Sequence, residues 1–417
     1  MKSLTVILLM VTMLLPATTS PLTSMAAPFG QTIVVKSAAD SGTGTLRQAL
    51  LDAQDGDAIT FEPAVFPPGA PVTISITSLL PGINADNLTL DASNAGVILD
   101  GRHLPGDWQV GLQRVSCEGT SVRGLQIANF SGPAIDIGGN TRHTAIGGDP
   151  SIGSGPFGQG NQFIHNAIGV SLATPGTTLN VIKGNLMGTD AALAAQLGNE
   201  RSGVWITEGA NGNTIGPDNV IAHNGQAGIV MEGPDSVHNT ITQNSIYNNA
   251  WWGIKLSDGA NDSLPFPGVF AYDRAAGTMT GATGAHCTVE IFSDAINEGA
   301  IFEGRTAADD RGVFTFSKGS AFVGPYLTTT ATDVNGNTSR FSAPLSGESR
   351  AAIMQTGNSR PQTAAPPAPE DLYDVINERY ERGSILLTSS RAPDEWPELL
   401  GDPLMASAGL DRLAHQA

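Results

Sequence analysis

Four times in this chain an asparagine opens the same six-residue pattern, Asn-x-Ile-x-x-Asn. The copies run from Asn161 to Asn166 (with Phe163 in the Ile place), Asn180 to Asn185, Asn219 to Asn224 and Asn239 to Asn244. A second pattern follows in step: Gly169-Val-Ser-Leu172, Gly203-Val-Trp-Ile206, Gly228-Ile-Val-Met231 and Gly253-Ile-Lys-Leu256, with first residues 34, 25 and 25 apart. A repeat of this size, too short to bury its own apolar face, is the mark of a solenoid in which each unit packs only on its neighbours.

Within each copy apolar residues alternate with others, the period of a strand with one buried face. Val170, Leu172, Val204, Ile206, Ile229, Met231, Ile254 and Leu256 are therefore expected to point inward, and Ser171, Trp205, Val230 and Lys255 to form one outward column. Gly and Asn fall where short strands must turn, because both tolerate the left-handed backbone and Asn bonds local backbone groups. Stacked asparagines can also bond one another from coil to coil as ladders. The longer first interval predicts a projecting loop between Gly188 and Asn199.

Upstream, Thr45 to Ala53 reads as a short amphipathic helix with Leu46, Ala49, Leu50 and Ala53 on one side, placed over the open end of the coil stack. Strand-like runs at Val72 to Ile76, Leu88 to Leu90, Val97 to Leu99 and Val122 to Ile127 lead into the clear repeats. The 50 glycines and the 14% charged content fit a turn-rich, all-β body and argue against a helical bundle.

Charge narrows the partners. The net charge is −18, and residues 31–262 carry 9 Lys/Arg against 20 Asp/Glu, a surface that repels a nucleic-acid duplex. Solubility accounts for such a charge, and Ca2+ binding is the sharper alternative. At the N-terminus Lys2, the apolar run Leu4 to Leu15 and Ser24-Met25-Ala26 have the order of a signal peptide over residues 1–26, so the chain is expected to be secreted or at the cell surface with no membrane span after cleavage. Two cysteines, Cys117 and Cys287, are too few for a disulfide framework and read as small buried hydrophobes.

The stretches DSGTGTLRQAL, TAIGG (144–148), GNQFIHNAIGVSL, NVIKGNLMGTD, NTIGPDNVIAHNGQAGIV and NTITQNSIYNN make residues 31–262 resemble the bacterial secreted right-handed parallel β-helix repeat proteins of the pectate-lyase-like class. The resemblance implies fold. It leaves activity open, since proteins with this repeat include lyases, hydrolases, epimerases, adhesins and proteins of no known activity.

Lyases of this kind need a metal held by clustered carboxylates and a basic residue to take a proton. Asp100, Asp136, Asp149 and Asp190 are available, with Arg123, Arg142 and His143, and the catalytic candidates are Asp136, Asp190, Arg123 and Arg142. A solvated or turn role competes for each. His165 and His223 hold the same place before Asn166 and Asn224, which suits turn filling better than metal binding. Paired carboxylates for hydrolysis are not evident as a close cluster. For sugar binding the candidates are Trp205, Trp251, Trp252 and Lys255, an aromatic strip able to meet sugar rings.

From residue 263 to 345 short strands at Thr288 to Phe292, Val313 to Phe316 and Tyr326 to Asp333 predict a small β-sandwich. The segment ATDVNGNTSRFS resembles the last hairpin of bacterial immunoglobulin-like modules, which can cap a solenoid. Residues 346–370 read as a linker rich in Ser, Gly, Gln, Ala and Pro. Residues 371–417 read as a short α/β fragment and resemble the end of the IstB-type transposase helper ATPases. That resemblance implies nucleotide-related positions at Thr388 and interface arginine character at Arg412. The chain contains no GxxxxGK[ST] phosphate loop, so the tail alone is not expected to bind ATP. Its 4 Lys/Arg against 10 Asp/Glu in 370–417 speak against DNA binding.

Three function classes follow: an exported β-helix with a scaffold or carbohydrate-binding role, a metal-assisted polysaccharide lyase or related carbohydrate-active enzyme, and a nucleotide-binding transposition protein by its tail only. Oligomeric state stays open. The union of an export signal with a helper-ATPase segment suggests, as a hypothesis, that a mobile element replaced the end of a β-helix gene. Long-read sequencing of the locus is expected to find transposon remnants beside it, and a locus without any counts against the hypothesis.

Overall fold

The structure, a computed structural model, describes residues 30–350 apart from Ser116 and Glu348. The expected signal peptide, all but the first residues of the expected linker, and the tail with Thr388 and Arg412 lie outside the described residues.

Three parallel sheets wrap around one apolar core. The first has eight strands, from Thr32–Val35 to Thr240–Ile241. The second has seven, from Val72–Ser75 to Ser245–Tyr247, and the third six, from Leu112–Val115 to Ile254–Ser257. From the strand Thr89–Asp91 onward the chain visits first, second and third sheet in turn, so each circuit adds one strand to each. This is a parallel β-helix. Register lines the interior with stacked aliphatic columns. Ile59, Leu90, Val122, Ile146, Ile182, Ile215 and Ile241 pair in succession on the first sheet. On the third sheet the equivalent column runs Leu112, Ile135, Val170, Val204, Ile229 and Ile254. All thirteen are buried, and the inward set expected from alternation agrees except that Leu256 is half-buried.

The corners carry three asparagine ladders. One joins Asn161, Asn185, Asn219 and Asn244 ahead of the second sheet. A second joins Asn166, Asn199, Asn224 and Asn249 ahead of the third. The last joins Asn180, Asn213, Asn239 and Asn261 ahead of the first. The copies of the six-residue pattern are thus not equivalent. Those at 161 and 219 span the second sheet, while those at 180 and 239 span the first. Sequence similarity arose because every corner poses the same problem: a buried turn whose backbone groups need partners. Asn199 shows the solution. Its Oδ1 accepts from the N–H and Nδ2 of Asn166, both at 3.2 Å, and its Nδ2 donates to the Phe163 carbonyl at 3.2 Å and to Asn224 Oδ1 at 2.9 Å.

The residue before a ladder asparagine is often left-handed: His165 (φ 55°), Leu179 (59°), His223 (60°), His238 (60°) and Gln243 (51°). His165 and His223 are such turn residues. Gly124 (φ 74°) makes the same bend, dividing the run expected from Val122 to Ile127 into the strands Ser121–Arg123 and Leu125–Ala128. A Cβ there would meet the Ser93 backbone nitrogen at 2.3 Å, so only glycine fits.

The helix forms over Leu46–Asp52, capped by the Thr45 hydroxyl accepting from the Gln48 N–H, with Leu46, Ala49 and Leu50 buried in the common core. Besides the expected loop at Gly188 to Asn199, further excursions run from Gly101 to Gly111 and from Gly148 to Gly160. Cys117 and Cys287 are buried and not bridged.

Antiparallel strands follow, forming a four-stranded sheet over Gly268–Asp273, Thr278–Ala282, Val313–Ser317 and Ser349–Arg350. A three-stranded sheet holds Thr288–Asp294, Ile301–Ala307 and Tyr326–Thr332. Tyr272, Met279, Val289, Ile291, Phe314 and Leu327 fill the space between them. The sandwich extends past residue 345 because Ser349 and Arg350 pair with Asp273 and Tyr272.

This sandwich closes the solenoid. Open strand edges at the last coil would be templates for aggregation. Ile246 and Gly299 exchange backbone hydrogen bonds of 3.0 and 2.9 Å across the edge of the second sheet. At the first sheet Thr338 Oγ1 accepts from the Ile241 N–H at 2.9 Å and the Gly336 carbonyl accepts from the Thr240 hydroxyl. Ladder ends are met too: Glu298 accepts from the Asn249 N–H at 3.2 Å, the Thr338 carbonyl from Asn261 Nδ2 at 3.0 Å, and Glu290 from the Gln243 N–H at 2.9 Å. Burial pushes the carboxyl groups of Glu290 and Glu298 up, Glu298 to about 7, the Asn249 bonds opposing and Asp294 adding to the shift.

Asn199→Ala is expected to lower unfolding stability by about 3 kcal/mol, since buried groups on Asn166 and Phe163 lose their partner. His165→Gly, at a left-handed turn, should change it by no more than about 1 kcal/mol; denaturant titration compares the two. A carboxyl whose folded pKa is raised favours folding below its unfolded value and loses that contribution as pH rises through the folded one. Wild-type stability should therefore fall by up to about 3 kcal/mol relative to Glu298→Gln as pH rises from 4.5 through about 7, read as the difference between their melting curves.

Candidate functional site

The outward face of the third sheet carries a groove. Register places Gln113, Asp136, Ser171, Trp205, Val230 and Lys255 in one column, one residue per coil. Strand spacing makes the stretch from Gln113 to Trp205 about 14 Å long. The loop from Gly101 to Gly111 folds back along this face and brings Trp108 to the side of the column, enclosing a cavity of about 510 Å³. Its lining includes Trp108, Gln113, Asp136, Ser171, Trp205 and Glu208, with Thr174 and Thr207.

Arg201 holds the two tryptophans in place. It immediately precedes the Trp205 strand, and its guanidinium carbon lies 4.9 Å from the Trp108 ring centroid and 5.8 Å from that of Trp205. Trp205 Nε1 donates to Glu232 Oε2 at 3.2 Å, and Lys255 Nζ lies 3.8 Å from Glu232 Oε1. Trp205 is half-buried by these contacts, whereas Trp108 keeps 47% of its surface exposed. Val230 is only 6% exposed although it sits on the outward column.

Asp136 is the unusual carboxylate of the groove. Burial pushes its pKa up, the nearby Glu208 carboxylate adds to this, and a hydrogen bond from Ser171 opposes it. Glu208, exposed and left-handed at φ 52°, stands at the turn after the Trp205 strand.

The other residues singled out from sequence go elsewhere. Asp190 lies in the loop after the second sheet, where the backbone N–H groups of Ala194 and Ala195 hold its carboxyl low. Arg123 is on the first sheet, in register with Asp91, and Arg142 forms bridges with Glu118 and Thr178 at the third corner. Asp136, Asp190, Arg123 and Arg142 are not brought together. Asp100 is taken up by Arg102 at 2.7 Å and Asn129, Asp149 by Ser151, and His143 by Glu118 at 3.0 Å. His223 packs edge-on to Tyr247 at 5.7 Å. No group of three or more His, Cys, Asp or Glu able to hold a metal ion occurs among the described residues.

Trp251 and Trp252 are about half exposed and meet edge-to-face at 6.2 Å. They lie at the corner of the last coil and do not line the groove, because Trp251 stacks below Gln226 and Arg201 by backbone hydrogen bonds rather than entering the outward column. Trp108 and Glu208 were missed in the sequence. Both sit in turns outside the repeat, and the only signal was a tryptophan in a Gly- and Asp-rich loop between strands.

Two parts of the chain match known protein families. Residues 195–264 match the family model described as a right handed beta helix region, and residues 363–417 match that of the IstB-like ATP binding proteins. The tail is 48% identical over 46 residues to the insertion sequence IS5376 putative ATP-binding protein of Geobacillus stearothermophilus, covering 11% of this chain and 18% of that protein. It is 44% identical over 45 residues to the IS21 putative ATP-binding protein of Pseudomonas aeruginosa, covering 11% and 17%. The chain thus spans less than a fifth of the length of these two curated relatives. The molecule is a right-handed parallel β-helix followed by an antiparallel β-sandwich, with a C-terminal segment similar to the end of the IstB-like ATP-binding proteins.

Proposed function

We propose that this protein is an exported or cell-surface β-helix that binds a glycan along its third sheet. One observation carries the reading: Trp108 and Trp205, distant in sequence, line a single groove with Arg201 against both rings. Aromatic faces present flat apolar area to the C–H faces of sugar rings, while Gln113, Ser171, Thr174 and Thr207 offer hydrogen bonds to hydroxyls. Export is supported by Lys2, the apolar run Leu4 to Leu15 and the small residues before Ala26. The sandwich, immunoglobulin-like by its ATDVNGNTSRFS segment, acts as the solenoid's plug in this reading.

The lyase alternative draws no support from the geometry, since its carboxylates and arginines lie on separate faces. Among the described residues no cluster of three or more metal-ligating side chains supports a Ca2+ role, and the segment similar to the ATP-binding proteins lies outside them.

Calorimetric titration of the full chain against a panel of neutral, acidic and amino polysaccharides tests the reading. Trp108→Ala and Trp205→Ala should each weaken binding about tenfold, equivalent to ~1.4 kcal/mol. Trp251→Ala and Trp252→Ala should leave it within about twofold. Absence of binding to every member, or equal loss in all four variants, overturns it. N-terminal sequencing of protein recovered from the medium should begin after Ala26; full-length protein confined to the cell interior opposes export.

A further inference from the structure

The groove's charge is one-sided. Among its lining residues Asp136 and Glu208 are acidic and none is Lys, Arg or His. The nearest cations stand outside the lining: Arg201 lies against the two tryptophan rings, and Lys255 faces Glu232 three coils beyond Ser171 and four beyond Asp136. Asp136 is on the floor, joined to Ser171, and Glu208 rises from the turn beside Thr207. A uronate entering here would set its carboxylate against two others with no Lys, Arg or His among the lining residues, a like-charge contact in a partly desolvated site.

An ammonium group meets the opposite situation. It can pair with Asp136 or Glu208, and the faces of Trp108 and Trp205 attract cations through their quadrupoles, as they already do Arg201. We infer that the groove selects glycans carrying primary ammonium groups on their sugar rings and rejects polyuronates, an inference that rests on the glycan-binding reading. The length of about 14 Å between the Gln113 and Trp205 strands suits a short oligosaccharide rather than a single ring. Burial beside Glu208 raises the pKa of Asp136, and a bound cation removes the cause of part of that shift by compensating both carboxylates.

Three oligosaccharides of equal length, made of glucosamine, N-acetylglucosamine or galacturonate, are titrated into the full chain at mildly acidic pH and low salt. The glucosamine oligomer should bind at least about tenfold more tightly than its N-acetyl counterpart, and the galacturonate oligomer should give no heat of binding. Asp136→Asn and Glu208→Gln should each narrow that ratio, Asp136→Glu should keep it, and added salt should reduce it. Melting curves confirm that each variant is folded. Galacturonate binding as tight as glucosamine overturns the inference, as does an unchanged ratio in both amide variants. If a neutral polymer binds in a Trp108-dependent manner while glucosamine does not, charge selection fails and the glycan-binding reading stands. Failure of every glycan removes both.

Discussion

Each coil must turn three times around a core that admits no water, and every turn leaves backbone donors and acceptors buried. The asparagine side chain resolves this with one carboxamide. Its oxygen takes the N–H of the coil before, and its nitrogen returns a bond to a buried carbonyl and to the next asparagine. Asp would repel the carbonyls and Ser would reach too few of them. Three such ladders run along the corners, and the aliphatic columns between them can pack only because the corners are closed. Hydrophobic burial supplies the larger energy, while the ladders set which residue of each coil lies above which.

A stack of coils repeats until something ends it. At one end the helix Leu46–Asp52 lays its apolar side into the core. At the other the sandwich supplies a carbonyl, two carboxyl groups and short edge-pairing segments in place of a further coil. The result is an end cap with ionisable partners, so the junction responds to pH in a way the asparagine ladders cannot.

The groove follows from where loops are allowed. A solenoid's interior is fully committed to packing, so chemistry can accumulate only on its outward columns and in the loops at its corners. On the third sheet both contribute. The column provides Asp136, Ser171 and Trp205, and loops provide Trp108 and Glu208. Arg201 links the column to the loop by lying against both rings, which keeps a tryptophan from the Gly101 to Gly111 loop beside strands three coils away.

Much of the fold was legible because repetition amplifies weak local signals. The alternation at Val204 and Ile206, the outward placement of Ser171, Trp205, Val230 and Lys255, the helix near Leu46 and the strand-rich segment after residue 263 follow from period and turn chemistry. Each is set by near neighbours in the chain. What sequence could not assign was phase. Asn161 and Asn180 open identical-looking patterns but stand at different corners, since every corner asks for the same residue. Nor could it assemble the groove: Trp108 meets Arg201, and Asp136 meets Glu208, only after the chain has wound through further coils. The sequence by itself determined the solenoid, its inward and outward alternation and its acidic character, all local or summed properties of the chain. The tertiary structure alone decided which residues share a face, because stacking in register joins residues separated by whole turns of the helix, and no local pattern records how many residues each turn consumes.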